Sequence, residues 1–240
     1  MGRKGRRLRT LANAVAQAYP SIEDAEALIA GGSVLVDGIA VRNPSTLVQR
    51  DAAIAIRTEE PLRGEAKLEA ALAAFEVQVD GRVALDVGAA AGGFTRALLR
   101  SGAARVYAVD AGHGQLLGSL RQDPRVVNLE RTNLGELDRT KVPDTIELVT
   151  IDVSYLALSR AAPQLDRVRI ATHADAIALV KPQFELGLAS PHQDRARLAE
   201  AQRLAAAGFT RSGWSVRGAI ESPVRGARGA IEFLLHASRP

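Results

Sequence analysis

Apolar residues recur at two different periods along this chain, and the change of pattern divides it. Leu8, Leu11, Val15 and Ala18 share one helical face, and Pro20 ends that helix. Ser21-Ile22-Glu23-Asp24 reads as an N-cap followed by acids. It opens a short helix through Ala25, Leu28 and Ile29, which Gly31-Gly32 stop. The runs 33–36 and 39–41 flank Asp37-Gly38, a hairpin signal, and Ile54-Ala55-Ile56 closes the unit. Two short helices and a small sheet predict an α+β domain over residues 6–57, with 58–64 as linker.

From Lys67 the pattern alternates between helix and strand. Residues 67–75 read as a helix. Strands are predicted at 83–87, 104–109, 125–129, 146–151 and 174–180, with helices between them, clearest after Gly93 and over 114–120. A helix over 195–207 follows. Two final runs, 214–220 and 231–236, flank a turn-rich segment and predict an antiparallel hairpin at a sheet edge. Repeated β-α-β implies an α/β domain over 65–240, a doubly wound, Rossmann-like parallel sheet covered on both faces.

Composition narrows the chemistry. The chain has no cysteine, which excludes disulfides and thiolate chemistry. Its four histidines lack ligand spacing, so no metal site is expected. No apolar run approaches the roughly 18 residues of a membrane span, and the basic N-terminus lacks a signal-peptide apolar core. A cytoplasmic protein is expected. The net charge of +4 is uneven: Arg3, Lys4, Arg6, Arg7 and Arg9 fall within nine residues. Such an arm suits a nucleic-acid phosphate backbone. Aromatic residues make up 4% of the chain, which favours phosphate and shape contacts over base stacking.

The strand 83–87 runs into Gly88-Ala89-Ala90-Ala91-Gly92-Gly93-Phe94-Thr95. Glycines let backbone N–H groups approach a ligand, and a helix N-terminus favours a carboxylate. The spacing fits neither G-x-G-x-x-G nor a P-loop. Asp86 precedes the turn, where a carboxylate would repel pyrophosphate but suits the α-amino group of S-adenosylmethionine. Asp110 ends the second strand, placed for ribose hydroxyls. Asp152 and Lys181 end the fourth and fifth. A lysine that ends a buried apolar strand and precedes proline is poorly explained as a surface charge. A ribose hydroxyl needs a base, and a lysine base needs desolvation or a second cation, for which Lys67 is placed.

These segments resemble the TlyA family of ribosomal RNA 2′-O-methyltransferases, also called hemolysins. The resemblance rests on Leu85-Asp86-Val87-Gly88, Gly92-Gly93-Phe94-Thr95, the run 102–110, Gly114-Gln115-Leu116, the run 121–126, Glu130-Arg131-Thr132-Asn133, Asp152-Val153-Ser154 and the run 180–185. It implies an FtsJ-type class I methyltransferase domain behind an S-four-type RNA-binding domain. The implied cofactor is S-adenosyl-L-methionine and the implied partner is ribosomal RNA or a ribosomal subunit. It implies a Lys-Asp-Lys-Glu tetrad of Lys67, Asp152, Lys181 and Glu232, with Lys181 as base. Asp86, Gly88, Ala90, Gly92, Gly93 and Phe94 would hold the methionine part of the cofactor, Asp110 its ribose and Asn133 its adenine.

The chain departs from the family pattern in places. The turn's usual Ser-Thr is Ala90-Ala91, and Ser-Arg-Gly-Gly-x-Lys is Leu62-Arg63-Gly64-Glu65-Ala66-Lys67. The Asn two residues before the last Glu is Ala230, and the Ser-Arg of the second helix is Ser21-Ile22. The lost hydroxyls predict weaker cofactor binding. They leave two alternatives: a methyltransferase with another substrate, or an RNA-binding module without turnover.

Overall fold

The computed structural model describes residues 8–20, 22–56, 62–191 and 193–240. It divides into two compact units, Met1–Glu60 and Pro61–Pro240. In the first, β1 (Leu8–Thr10) leads into α1 (Leu11–Ala18), and α2 (Ala25–Ala30) follows. Then come β2 (Val34–Val36), β3 (Ile39–Ala40), β4 (Leu47–Gln49) and β5 (Ile54–Ile56). Strands β3, β2 and β5 form one antiparallel sheet, and β1 pairs with β4 in another. Leu11, Ala14, Val15, Ile29, Val34 and Val48 form the unit's core.

Three expectations change here. Leu8 lies in a strand and is exposed, because the Thr10 hydroxyl accepts from Asn13 N–H and starts the helix at Leu11. The second helix is capped by Asp24, whose Oδ1 accepts from Ala27 N–H at 2.8 Å; Ser21 lies outside the described residues. Strand β4 was not foreseen.

The second unit opens with α3 (Arg63–Ala74), which begins inside the predicted linker. It continues with β6 (Val83–Val87), α4 (Gly93–Arg100), β7 (Arg105–Asp110), α5 (Gly118–Gln122), β8 (Val126–Glu130) and β9 (Thr145–Ile151). Then follow α6 (Leu158–Ala161), β10 (Arg169–Val180), α7 (Pro182–Glu185), α8 (Arg195–Arg211), β11 (Ser215–Glu221) and β12 (Phe233–Ser238). The seven strands are ordered β11-β12-β10-β9-β6-β7-β8. Strands β6 to β10 are parallel, while β12 enters antiparallel between β10 and the edge strand β11. The β8–β9 connection holds one 3-10 turn at Leu134–Glu136 and no α-helix. Apolar clusters cover both faces of the sheet, one around Val149, Ile151 and Phe209 and the other around Leu68, Leu98 and Ile177. Burial on both faces explains the unbroken apolar run Ala176–Val180 that ends β10. No helix of the described residues is long and apolar enough to cross a membrane.

Candidate active site

The parallel strands deliver their carboxyl ends to one rim of the sheet, where an open α/β fold places ligands. Val109 O accepts from Gly88 N–H at 2.8 Å and from Ala89 N–H at 3.0 Å, and Val87 O accepts from Asp152 N–H at 2.8 Å. Strand β6 is thus tied to both neighbours where the turn leaves it. Gly88 has φ +87°, and a Cβ there would stand 2.3 Å from Asp152 O, so only glycine fits. No side chain caps α4, which leaves its first N–H groups to face a ligand.

A cleft of about 290 Å³ opens over this turn. Its walls include Gly88, Ala90, Ala91, Phe94, Gly64 and Asp152. Ala90 has φ +46°, and its N–H donates to Asp110 Oδ2 at 2.8 Å, while Asp110 Oδ1 accepts from Gly112 N–H at 2.6 Å. Asp86 does not meet the cleft. It is wholly buried, with Oδ2 accepting from the Thr95 hydroxyl at 2.6 Å and Oδ1 from the Thr150 hydroxyl at 2.9 Å. Burial, aided by the nearby Asp152 charge, pushes its pKa up to about 6, and the two hydroxyls restrain the rise. Asp86 is a floor for the turn rather than a wall of the cleft. Gly92 fits against Leu116 and Leu120, behind the turn.

Asn133 is exposed and opens the 3-10 turn; its N–H donates to Glu136 Oε2 at 2.8 Å. Sequence reasoning gave Glu130 no role, yet it organises this rim. Its Oε1 accepts from Gln115 N–H at 2.8 Å and Leu116 N–H at 3.2 Å. Those backbone donors outweigh its desolvation and hold its pKa down at about 2. Its register partner on β7 is Asp110, a clue that strand pairing could have supplied.

A second cavity, of about 370 Å³, shares Arg63, Gly64 and Asp152 with the first. Lys67, Lys181 and Glu232 line it. The tetrad expected from the sequence therefore comes together around one space, as two ion pairs. Lys67 Nζ donates to Glu232 Oε2 at 2.6 Å, both residues buried. Lys181 Nζ lies 2.6 Å from Asp152 Oδ1 and donates to Ser154 Oγ at 2.7 Å. The Lys181–Asp152 contact is off the hydrogen-bonding directions, so the buried Asp152 Oδ1 has no hydrogen bond. Lys67 carries its own counter-charge and is not the bare opposing cation foreseen for Lys181.

Among the RNA-arm residues, Arg3, Lys4, Arg6 and Arg7 lie outside the described residues. Arg9 donates to Gln17 Oε1 at 2.5 Å within the small unit.

This geometry agrees with the comparisons. The family profile described as FtsJ-like methyltransferase matches residues 62–239. The chain belongs to the FtsJ-like methyltransferase family. A proposed rRNA methyltransferase of Bacillus subtilis, YqxC, is 38% identical over 234 residues, 91% of this chain and 80% of that protein. The 16S/23S rRNA (cytidine-2′-O)-methyltransferase TlyA of Mycobacterium tuberculosis is 44% identical over 149 residues, 60% of this chain. That match spans 56% of the TlyA relative's own length. The solved structure of a candidate hemolysin from Streptococcus thermophilus superposes with TM-score 0.71 at 30% identity, covering 98% of this chain and 90% of that one. FtsJ-like membership accounts for the sheet order and for the two cavities at its carboxyl rim.

Proposed function

We propose that this protein transfers a methyl group from S-adenosylmethionine to a ribose 2′-hydroxyl of ribosomal RNA. The observation that carries the reading is the meeting of Lys67, Asp152, Lys181 and Glu232 around a cavity that shares Asp152 with the glycine-turn cleft. The cleft's residues fit the cofactor: an uncapped helix N-terminus suits its carboxylate, and the Ala and Phe94 walls its alkyl parts. Asp110, which ends β7 beside the turn, is assigned to its ribose. Asn133 is assigned to the adenine. S-adenosylmethionine, when bound, supplies an electrophilic methyl group on a cationic sulfur.

The chain's own residues then have distinct tasks. Lys181 is assigned as the base that takes the proton of the 2′-hydroxyl. Asp152 and Ser154 hold its Nζ at the cavity wall. The Lys67–Glu232 pair closes the opposite side without adding net charge. Much of the acceleration is positional, since both reactants are held in adjoining pockets. We assign RNA capture to the small unit and its basic arm as an S-four-type domain, in the cytoplasm. The RNA relatives named above and the arm's charge support this.

The test is transfer of labelled methyl from S-adenosylmethionine to separated ribosomal subunits and naked rRNA, followed by nucleoside analysis. Label on ribose is expected. Label on a base nitrogen or on protein, or calorimetry showing no cofactor binding, overturns the assignment.

A further inference from the structure

Glu65 is a buried carboxylate in the first turn of α3, its side chain 1% exposed. Arg96, three residues into α4 from Gly93, grips it with two parallel contacts. Nε meets Oε1, and Nη2 donates to Oε2 at 2.6 Å. Oε2 also accepts from Leu62 N–H at 3.0 Å, and Arg100 Nη1 lies 3.8 Å from Oε1. Beside this grip the backbones of the two helices touch. A Cβ on Gly93 would stand 2.8 Å from Gly64 Cα.

We propose that the Glu65–Arg96 pair is a positioning clamp for Lys67, fixing its distance from the cofactor turn. This rests on the reading of Lys67 as a member of the tetrad. The geometry supports it from both ends. Lys67 follows Glu65 by two residues on α3. Arg96 follows Thr95, whose hydroxyl binds Asp86 beneath the turn. A strut between Glu65 and Arg96 therefore joins a tetrad lysine to the floor of the cofactor turn. A buried ion pair is weak evidence for stability, because desolvation offsets its attraction. Its bidentate fork does fix a length and an angle, which an apolar contact does not. The neighbouring Gly64–Gly93 contact has no side chains to interlock, so the fork is what sets the register of α3 on α4 there.

Three variants test the clamp: Glu65→Leu/Arg96→Leu, which removes both charges together, Arg96→Lys, which keeps the charge and loses the fork, and Glu65→Gln. Two quantities are measured on each folded variant. The first is the rate of reductive methylation of Lys67, followed by mass spectrometry on the full chain. With the clamp gone, Lys67 leaves Glu232 more often, and labelling is expected to rise at least about fivefold while Lys141 is unchanged. The second is kcat against KM for RNA. A fall in kcat of about tenfold with little change in KM is expected of a displaced lysine. Lys67 labelling that matches the wild type in the folded Arg96→Lys and double-Leu variants overturns the clamp, as does unchanged kcat. If the wild type shows no RNA methylation, the proposed function fails, and the labelling result still decides the clamp.

Discussion

The two halves of the site are built from different material. The glycine-turn cleft, read above as the cofactor half, is largely backbone: an uncapped helix start, a glycine that passes within reach of Asp152 O, and alanines as walls. Its acids are already engaged, Asp86 with two hydroxyls and Asp110 with two N–H groups. The second cavity, read above as the catalytic half, is dominated by side chains, four charged groups in two pairs that face one space. A backbone-built pocket tolerates side-chain loss, which is how Ala90 and Ala91 can line the cleft without hydroxyls. A side-chain-built pocket does not share that tolerance.

The sharpest way to break this contrast is Lys181→Ala. It should reduce kcat by about 10³-fold and leave cofactor affinity nearly intact in calorimetry. A parallel loss of cofactor binding would show that the halves are not separate. Next in size is Gly88→Ala. The new Cβ meets Asp152 O while φ stays positive, so urea unfolding should show a loss of about 3–4 kcal/mol. Binding of cofactor should fall with it. Wild-type stability in this variant would contradict a backbone-built turn.

Asp86 gives a pH-dependent effect. Its folded pKa of about 6 lies above the ordinary 3.8, so the folded state holds this proton more tightly than the unfolded one. Stability therefore falls as pH rises from about 4 to about 6, by at most roughly 3 kcal/mol from this group. Asp86→Asn should flatten that part of the pH–stability curve and change cofactor affinity little. A curve unchanged by the substitution, or a large affinity loss, would return Asp86 to the cofactor's direct contacts. The smallest effect is expected from Ala90→Ser with Ala91→Thr. Each of the two added hydroxyls can make a hydrogen bond worth about 1 kcal/mol, which limits the gain in cofactor affinity to roughly thirtyfold. A gain of several hundredfold would mean that hydroxyls, not backbone, dominate the cleft.

Much of this was legible because strand ends are legible. Asp86, Asp110, Asp152 and Lys181 each follow an apolar run, and parallel topology sends such positions to one rim. Glu232 was visible through resemblance, not through pattern, since no local period links it to Lys67. The Glu65–Arg96 grip was not legible at all, because two charges 31 residues apart carry no mark of their meeting. Leu8 misled for a local reason: it extends the helical face of Leu11 and Val15, and the Thr10 cap that cuts the helix short competes with that period. The length of β10 was also missed. It begins at Arg169, and its register with β9 shifts between Ile170 and Asp175, next to His173 with φ +64°.

The Lys67–Glu232 contact spans 165 residues of chain. Contacts so distant in sequence form slowly, and Glu232 directly precedes β12, which lies between β10 and β11 in the sheet. No partly folded chain that lacks this strand can assemble the tetrad. Under the proposed function, turnover therefore reports completed folding, since a chain without β12 lacks the strand register that sets Glu232 beside Lys67.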